Sequence, residues 1–185
     1  MDILAHTLWA NVLARKAKKI AEKKNKKIIL SVGWTAFFGV FPDLFAFTIP
    51  FIMVVLKIVT GKMSMSSFGE HHDPGIGFDL AANLYQYSHS VVIWAIVFLV
   101  AWVISKRPRY ELFGWLLHIL IDIPSHALSF YPTPFLFPIS EYRFPYGISW
   151  SNKWYMLINY SALLIVWGKI LLDKYRTVPK VESEK

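Results

Sequence analysis

Long apolar stretches alternate along the chain with short polar ones. Four of them, residues 28–59, 87–105, 110–130 and 154–172, are long and apolar enough to cross about 30 Å of hydrocarbon. The first is too long for one straight span. It contains Gly39-Val40-Phe41-Pro42-Asp43 and then Pro50, which predicts a broken or kinked helix. Residues 1–14 are apolar on one face, too short to span, and open with Met-Asp rather than the basic region of a signal peptide. They predict an amphipathic helix that runs into a polar segment. The pattern as a whole predicts an all-α integral membrane bundle of about four transmembrane helices plus an amphipathic N-terminal helix. Residues 1–27 form the helix and its basic run, 28–172 the transmembrane domain, and 173–185 a polar tail.

Composition supports the membrane assignment. The chain has 185 residues, 55% hydrophobic and only 17% charged, with a mean hydropathy of +0.41. A soluble domain normally carries about 25% charged residues. The absence of cysteine excludes disulfides, thiolate metal sites and cysteine nucleophiles.

Charge then orients the bundle. Residues 15–27 carry eight of the 20 basic side chains and one acid, Glu22, so this run holds +7 of the net +8. A basic run beside apolar segments anchors against anionic lipid. Aromatic interleaving or a nucleic-acid-binding fold is missing, so nucleic acid is not expected as a partner. With residues 15–27, 106–109 and 169–185 in the cytoplasm, the cytoplasmic side holds 16 Lys/Arg and the other side only Lys57, Lys62, Arg143 and Lys153. The expected location is a bacterial-type inner membrane, multi-pass, with the basic run and C-terminus cytoplasmic and membrane lipid as partner.

Ionisable groups inside apolar segments are costly, at about 2.5–3.5 kcal/mol each on insertion scales. The chain nevertheless places Asp43, His89, His118, Asp122 and His126 within or at the edge of its spans, and His6 in its first helix. His118 and Asp122 are spaced i, i+4, on one helix face and about 6 Å apart along the axis, which suits two ligands of one ion. His126 lies about 12 Å beyond His118 on a continued helix, with Pro124 between them, so it reads as a neighbour of the ion, a ligand of a second one, or a substrate contact. Two aspartates near each other in low dielectric must take up protons or share a cation. A Zn²⁺ ion with Asp43, Asp122 and two neutral imidazoles, His89 and His118, is formally neutral. Nitrogen and oxygen ligands without sulfur suit zinc, with manganese or iron as alternatives. In this topology Asp43, His89, Asp122 and His126 can meet in the outer half of the bilayer.

The set His6-Thr7, Gly39-Val40-Phe41-Pro42-Asp43, Ser88-His89-Ser90 and His118-x-x-x-Asp122 resembles the YdjM-like family of membrane-bound metal-dependent hydrolases. The likeness covers roughly residues 1–140, and the family in turn looks like a membrane relative of zinc-dependent phospholipase C. The resemblance implies a divalent metal, most simply zinc, held by Asp43, His89, His118 and Asp122, with His6 beside it. The chain departs from the family's H-R-x-x-T-H-S pattern, reading Tyr85-Gln86-Tyr87-Ser88-His89-Ser90. That counts against a second metal or a phosphate-binding arginine at that point. Pro124-Ser125-His126 replaces the usual Thr-Gly segment after H-x-x-x-D.

The implied activity is hydrolysis of a phosphoester or lipid-derived substrate by a metal-activated water. Asp43 on its turn and His126 are the candidate catalytic groups, and Arg143 a candidate substrate-binding residue for a phosphate. The alternatives are a non-catalytic metal-binding membrane protein, or a small transporter that uses the intramembrane Asp and His residues. Glu70-His71-His72-Asp73 reads as a polar loop or a lid over the site.

Overall fold

The computed structural model describes residues 1–62 and 76–177. Six α-helices run in the order α1 (Ile3–Lys23), α2 (Val32–Val59), α3 (Ile76–Ser88), α4 (Val91–Ser105), α5 (Phe113–Ser125) and α6 (Lys153–Thr177), with a 3-10 turn at Tyr110–Leu112. The fold is all-α, with no strand among the described residues. The Glu70–Asp73 cluster lies outside them.

α2 forms the centre, with α1, α3 and α5 packed around it. Small residues set how closely they approach. A methyl added at Gly39 would lie 2.5 Å from Ala10 Cβ, and one added at Gly114 would lie 2.1 Å from the Thr35 carbonyl oxygen. Backbones of α1, α2 and α5 therefore meet almost directly, which brings short side chains from three helices within reach of one another. α1 starts on Asp2, whose side chain accepts from the Ala5 amide at 3.0 Å and from the Tyr160 hydroxyl at 2.8 Å. It continues past the apolar face as one helix into the basic run. There Lys19 pairs with Asp173 of α6 at 2.7 Å and the Arg15 guanidinium lies over Trp167.

Two expectations need correction. α2 is not broken: it runs unbroken from Val32 to Val59 with Pro42 and Pro50 inside it, both buried. Each proline removes one helix hydrogen bond, and the helix continues past both with α1, α3 and α5 packed against it. The 110–130 segment is not a full helical span either. α5 has 13 residues, about 20 Å of helix. It ends at Ser125, and the chain from 126 to 152 has no α-helix.

The 87–105 segment also gains structure. His89 and Ser90 sit at a break where α3 and α4 bend by 58°. Ser90 caps α4, its Oγ accepting from the Val92 and Ile93 amides while donating to the Phe137 carbonyl. The Val91 amide donates to Phe135 at 3.0 Å. Behind the break, Trp94, Leu112, Trp115 and Ile119 form an aromatic-rich core.

Among the described residues two helices, α2 and the Lys153–Tyr175 stretch of α6, are long and apolar enough to cross a membrane, and a third crossing is available if the bent α3–α4 pair is one span. Val103 and Ile104 on α4 and Leu164 and Ile165 on α6 are each more than 70% exposed. Such apolar exteriors are larger than soluble monomers present and suit contact with lipid.

The close α2–α5 contact is testable. Gly114→Ala should destabilise the protein by about 1–3 kcal/mol. Gly168→Ala, where an added methyl meets nothing within 4 Å, should leave the thermal unfolding midpoint in detergent unchanged or slightly raised.

Candidate metal centre

Four side chains from three places in the fold converge. Asp43 comes from the middle of α2, His89 from the α3–α4 break, and His118 and Asp122 from successive turns of α5. One ligand atom from each lies within 4.8 Å of the others. The His118 Nε2 atom is 3.0 Å from His89 Nε2 and 3.1 Å from Asp122 Oδ2. His89 Nε2 is 3.5 Å from both Asp122 Oδ2 and Asp43 Oδ1, and His118 Nε2 is 3.6 Å from Asp43 Oδ1. A tetrahedral ion with bonds of about 2.1 Å keeps its ligand atoms about 3.4 Å apart. The observed edges bracket that value.

Hydrogen bonding aims both imidazoles at the centre. His118 Nδ1 lies 2.8 Å from the Gly39 carbonyl. A carbonyl only accepts, so Nδ1 carries the proton and the Nε2 lone pair faces inward. His89 Nδ1 is held at 2.9 Å by Ser88 Oγ, and the Trp115 indole donates to the Ser88 carbonyl at 2.6 Å. The Tyr85 ring stacks on His89 with centroids 3.7 Å apart, and its hydroxyl donates to the Tyr131 carbonyl. Outer partners of this kind fix tautomer and ring angle at metal sites.

The donor set fits a cation by a second criterion. Asp122 is fully buried, and its Oδ2 atom has no hydrogen-bond partner although two imidazole nitrogens face it. A buried, unpaired carboxylate oxygen is strongly unfavourable, and an ion between the four ligands would resolve it. The cluster therefore has the composition, the spacing and, in Asp122 Oδ2, an unsatisfied buried oxygen that suit a metal ion. Nitrogen and oxygen ligands alone do not select which metal.

His6 and His126 stand beside the four rather than among them. His6 stacks on His118 at 3.7 Å, with Nε2 3.0 Å from Asp122 Oδ1. Burial, and then the neighbouring His118, pull its pKa down to about 4, so His6 is neutral at pH 7. His126 follows the end of α5 in an extended conformation, which brings Nε2 to 3.6 Å from Asp122 Oδ1. The Met1 α-amine also enters, 2.6 Å from Asp122 Oδ1 and 3.2 Å from His126 Nε2. The segment after Arg143 closes over this corner. Gly147 packs so tightly that an added methyl would lie 2.0 Å from the His126 carbonyl, and the Ile148 and Trp150 amides donate to Pro124 and Ser125.

Arg143 is not brought into the cluster. Its guanidinium donates to the carbonyls of Glu141 and Tyr142 in its own loop. Ser88 stands in the Ser88-His89-Ser90 motif of the sequence, but its role as a support, and those of Trp115, Tyr85 and the Met1 amine, were missed by sequence reasoning. Tyr85 left a further signal, four residues before His89.

No protein-family model, no curated protein and no solved structure matches this chain.

The purified full chain should carry about one equivalent of a divalent metal, measured by elemental analysis. Asp122→Ala should lose it, while Arg143→Ala should keep it. Ser88→Ala should weaken affinity by about 10- to 100-fold, read by competition with a chelator.

Proposed function

We propose that the protein is a membrane-bound metal-dependent hydrolase, acting on a phosphoester or lipid-derived substrate, as its likeness to the YdjM-like family implies. The observation that carries this reading is the asymmetry of the cluster. Asp43 has 14% of its side chain exposed, whereas His89, His118 and Asp122 are at 1% or less, and Asp43 and His126 line a cavity. Three sealed ligands and one beside an open space make a site whose fourth position can exchange for water, as a reactive site needs.

Asp43, His89, His118 and Asp122 would hold a divalent ion such as zinc, which when bound would supply Lewis acidity and a water of lowered pKa, about 7. The chain's own groups do the rest. Asp43, on the open side, is placed to leave the ion, which frees the position a water needs, and to accept that water's proton. His126 reaches the same corner and can donate a proton to the leaving oxygen. His118 and His89, fixed through Gly39 and Ser88, keep the geometry constant. Asp122, with His6 packed against it, balances the charge.

In this reading the chain makes about four membrane passes. α2, the α3–α4 pair and α6 form three, and α5 with the chain after it forms the fourth. The basic end of α1 and the C-terminus face the cytoplasm of a bacterial-type inner membrane. The site then lies in the outer half of the bilayer, where membrane lipid is the available substrate.

A generic phosphodiester assay on the metal-loaded protein tests the activity. Turnover should vanish on chelation and return with added metal. His126→Ala should lower kcat by about 100- to 10,000-fold while keeping the metal. Metal retained without turnover on any phosphoester would instead favour a structural or transport role. Reporter fusions should place the C-terminus in the cytoplasm, and an extracytoplasmic C-terminus would overturn the outward-facing site.

A further inference from the structure

A cavity of about 770 Å³ opens between the first turn of α1 and the second half of α2. Its walls are almost wholly apolar, built from Leu4, Leu44, Phe47, Phe51, Ile52 and Phe130. The volume falls in the range of about 300–1,000 Å³ that small-molecule sites occupy. Its polar groups are few, and they include Asp43 and His126. The cavity is thus an amphipathic slot with one chemically active end.

The open edge is as informative as the floor. Leu4, Phe51 and Ile52 are each more than half exposed, and they lie on helix faces that carry further exposed apolar residues such as Ile3, Phe45 and Ile49. The slot is therefore continuous with the surface that suits lipid contact, and nothing among its walls requires water to reach the cluster. A water-soluble ester would meet a greasy wall first. A hydrocarbon chain would be stabilised there by about 0.8 kcal/mol per buried methylene.

We infer that this slot is the tail-binding subsite for a phospholipid-type substrate, which enters sideways from the bilayer and lays one hydrocarbon chain along Phe47, Phe51, Ile52 and Phe130 with its phosphoester at Asp43 and His126. The inference deepens the hydrolase reading and rests on it for the identity of the head group. The location of the chain rests on the cavity alone. Phe47 and Phe130 hold the inner stretch of the chain, Leu44 its turn toward the head group, and Leu4 and Ile52 the mouth.

The test is photo-labelling of the detergent-solubilised, metal-loaded full chain with hexadecyl phosphate carrying a diazirine at the chain end. Adducts should concentrate on peptides around Phe47–Ile52 and Phe130, and unlabelled hexadecyl phosphate should compete while butyl phosphate should not. Ile52→Trp, which fills the mouth from an exposed position, should cut labelling by about tenfold while the metal content stays that of wild type. Val103→Trp, on the exposed face of α4, should leave labelling unchanged. Labelling spread evenly over α4 and α6, or unaffected by Ile52→Trp, would overturn the inference, because the slot would then be ordinary lipid-facing surface. Turnover of a short-chain phosphoester is measured alongside. Focused labelling without turnover sinks the hydrolase reading and leaves the tail site standing, whereas turnover with diffuse labelling does the reverse.

Discussion

The structure is organised around one buried carboxylate. Asp122 is fully enclosed in a chain that is 55% hydrophobic. Within 3.6 Å of its two oxygens lie nitrogens of Met1, His6, His89, His118 and His126. An isolated ion there would be untenable. The fold responds by delivering donors and potential ligands from α1, the α3–α4 break, α5 and the segment after it. Asp43 on α2 joins from across His89 and His118. Most of the interhelical geometry follows from this requirement.

Close backbone packing is what makes the convergence possible. Aspartate and histidine are short, and α1, α2 and α5 can share a site only if their axes come near. Ala10, Gly39 and Gly114 supply the room. Gly39 serves twice, since its carbonyl also orients His118. The break between α3 and α4 solves a related problem. A continuous helix would carry His89 past the cluster, whereas the bend, capped by Ser90 and tied to residues 135–137, turns it inward. Stability and the proposed chemistry therefore depend on the same few contacts.

Much of this was legible in the chain. Apolar run lengths identified the helical class. The i, i+4 pair His118 and Asp122, together with the charge balance of two aspartates against two histidines, pointed to the four residues that meet. What was not legible is tertiary in origin. Pro42 and Pro50 predict a break by local rules, and packing around α2 overrides them. The apolar run 110–130 reads as one span, yet the helix stops at Ser125, where the Ile148 and Trp150 amides take the Pro124 and Ser125 carbonyls left free at its end. Trp115 looks like an ordinary core residue until the helix break sets the Ser88 carbonyl before its indole. The cavity beside Asp43 combines residues from positions 1–4, 43–52 and 126–150, a juxtaposition that no periodicity reveals.

The central claim is that Asp43, His89, His118 and Asp122 hold one metal ion. X-ray absorption at the metal edge of the purified full chain tests it most directly. The account predicts a first shell of nitrogen and oxygen at about 2.0–2.2 Å, with the multiple-scattering signature of two imidazoles, which falls to one in His118→Ala. A shell of oxygen alone, or a spectrum unchanged by that substitution, would contradict it.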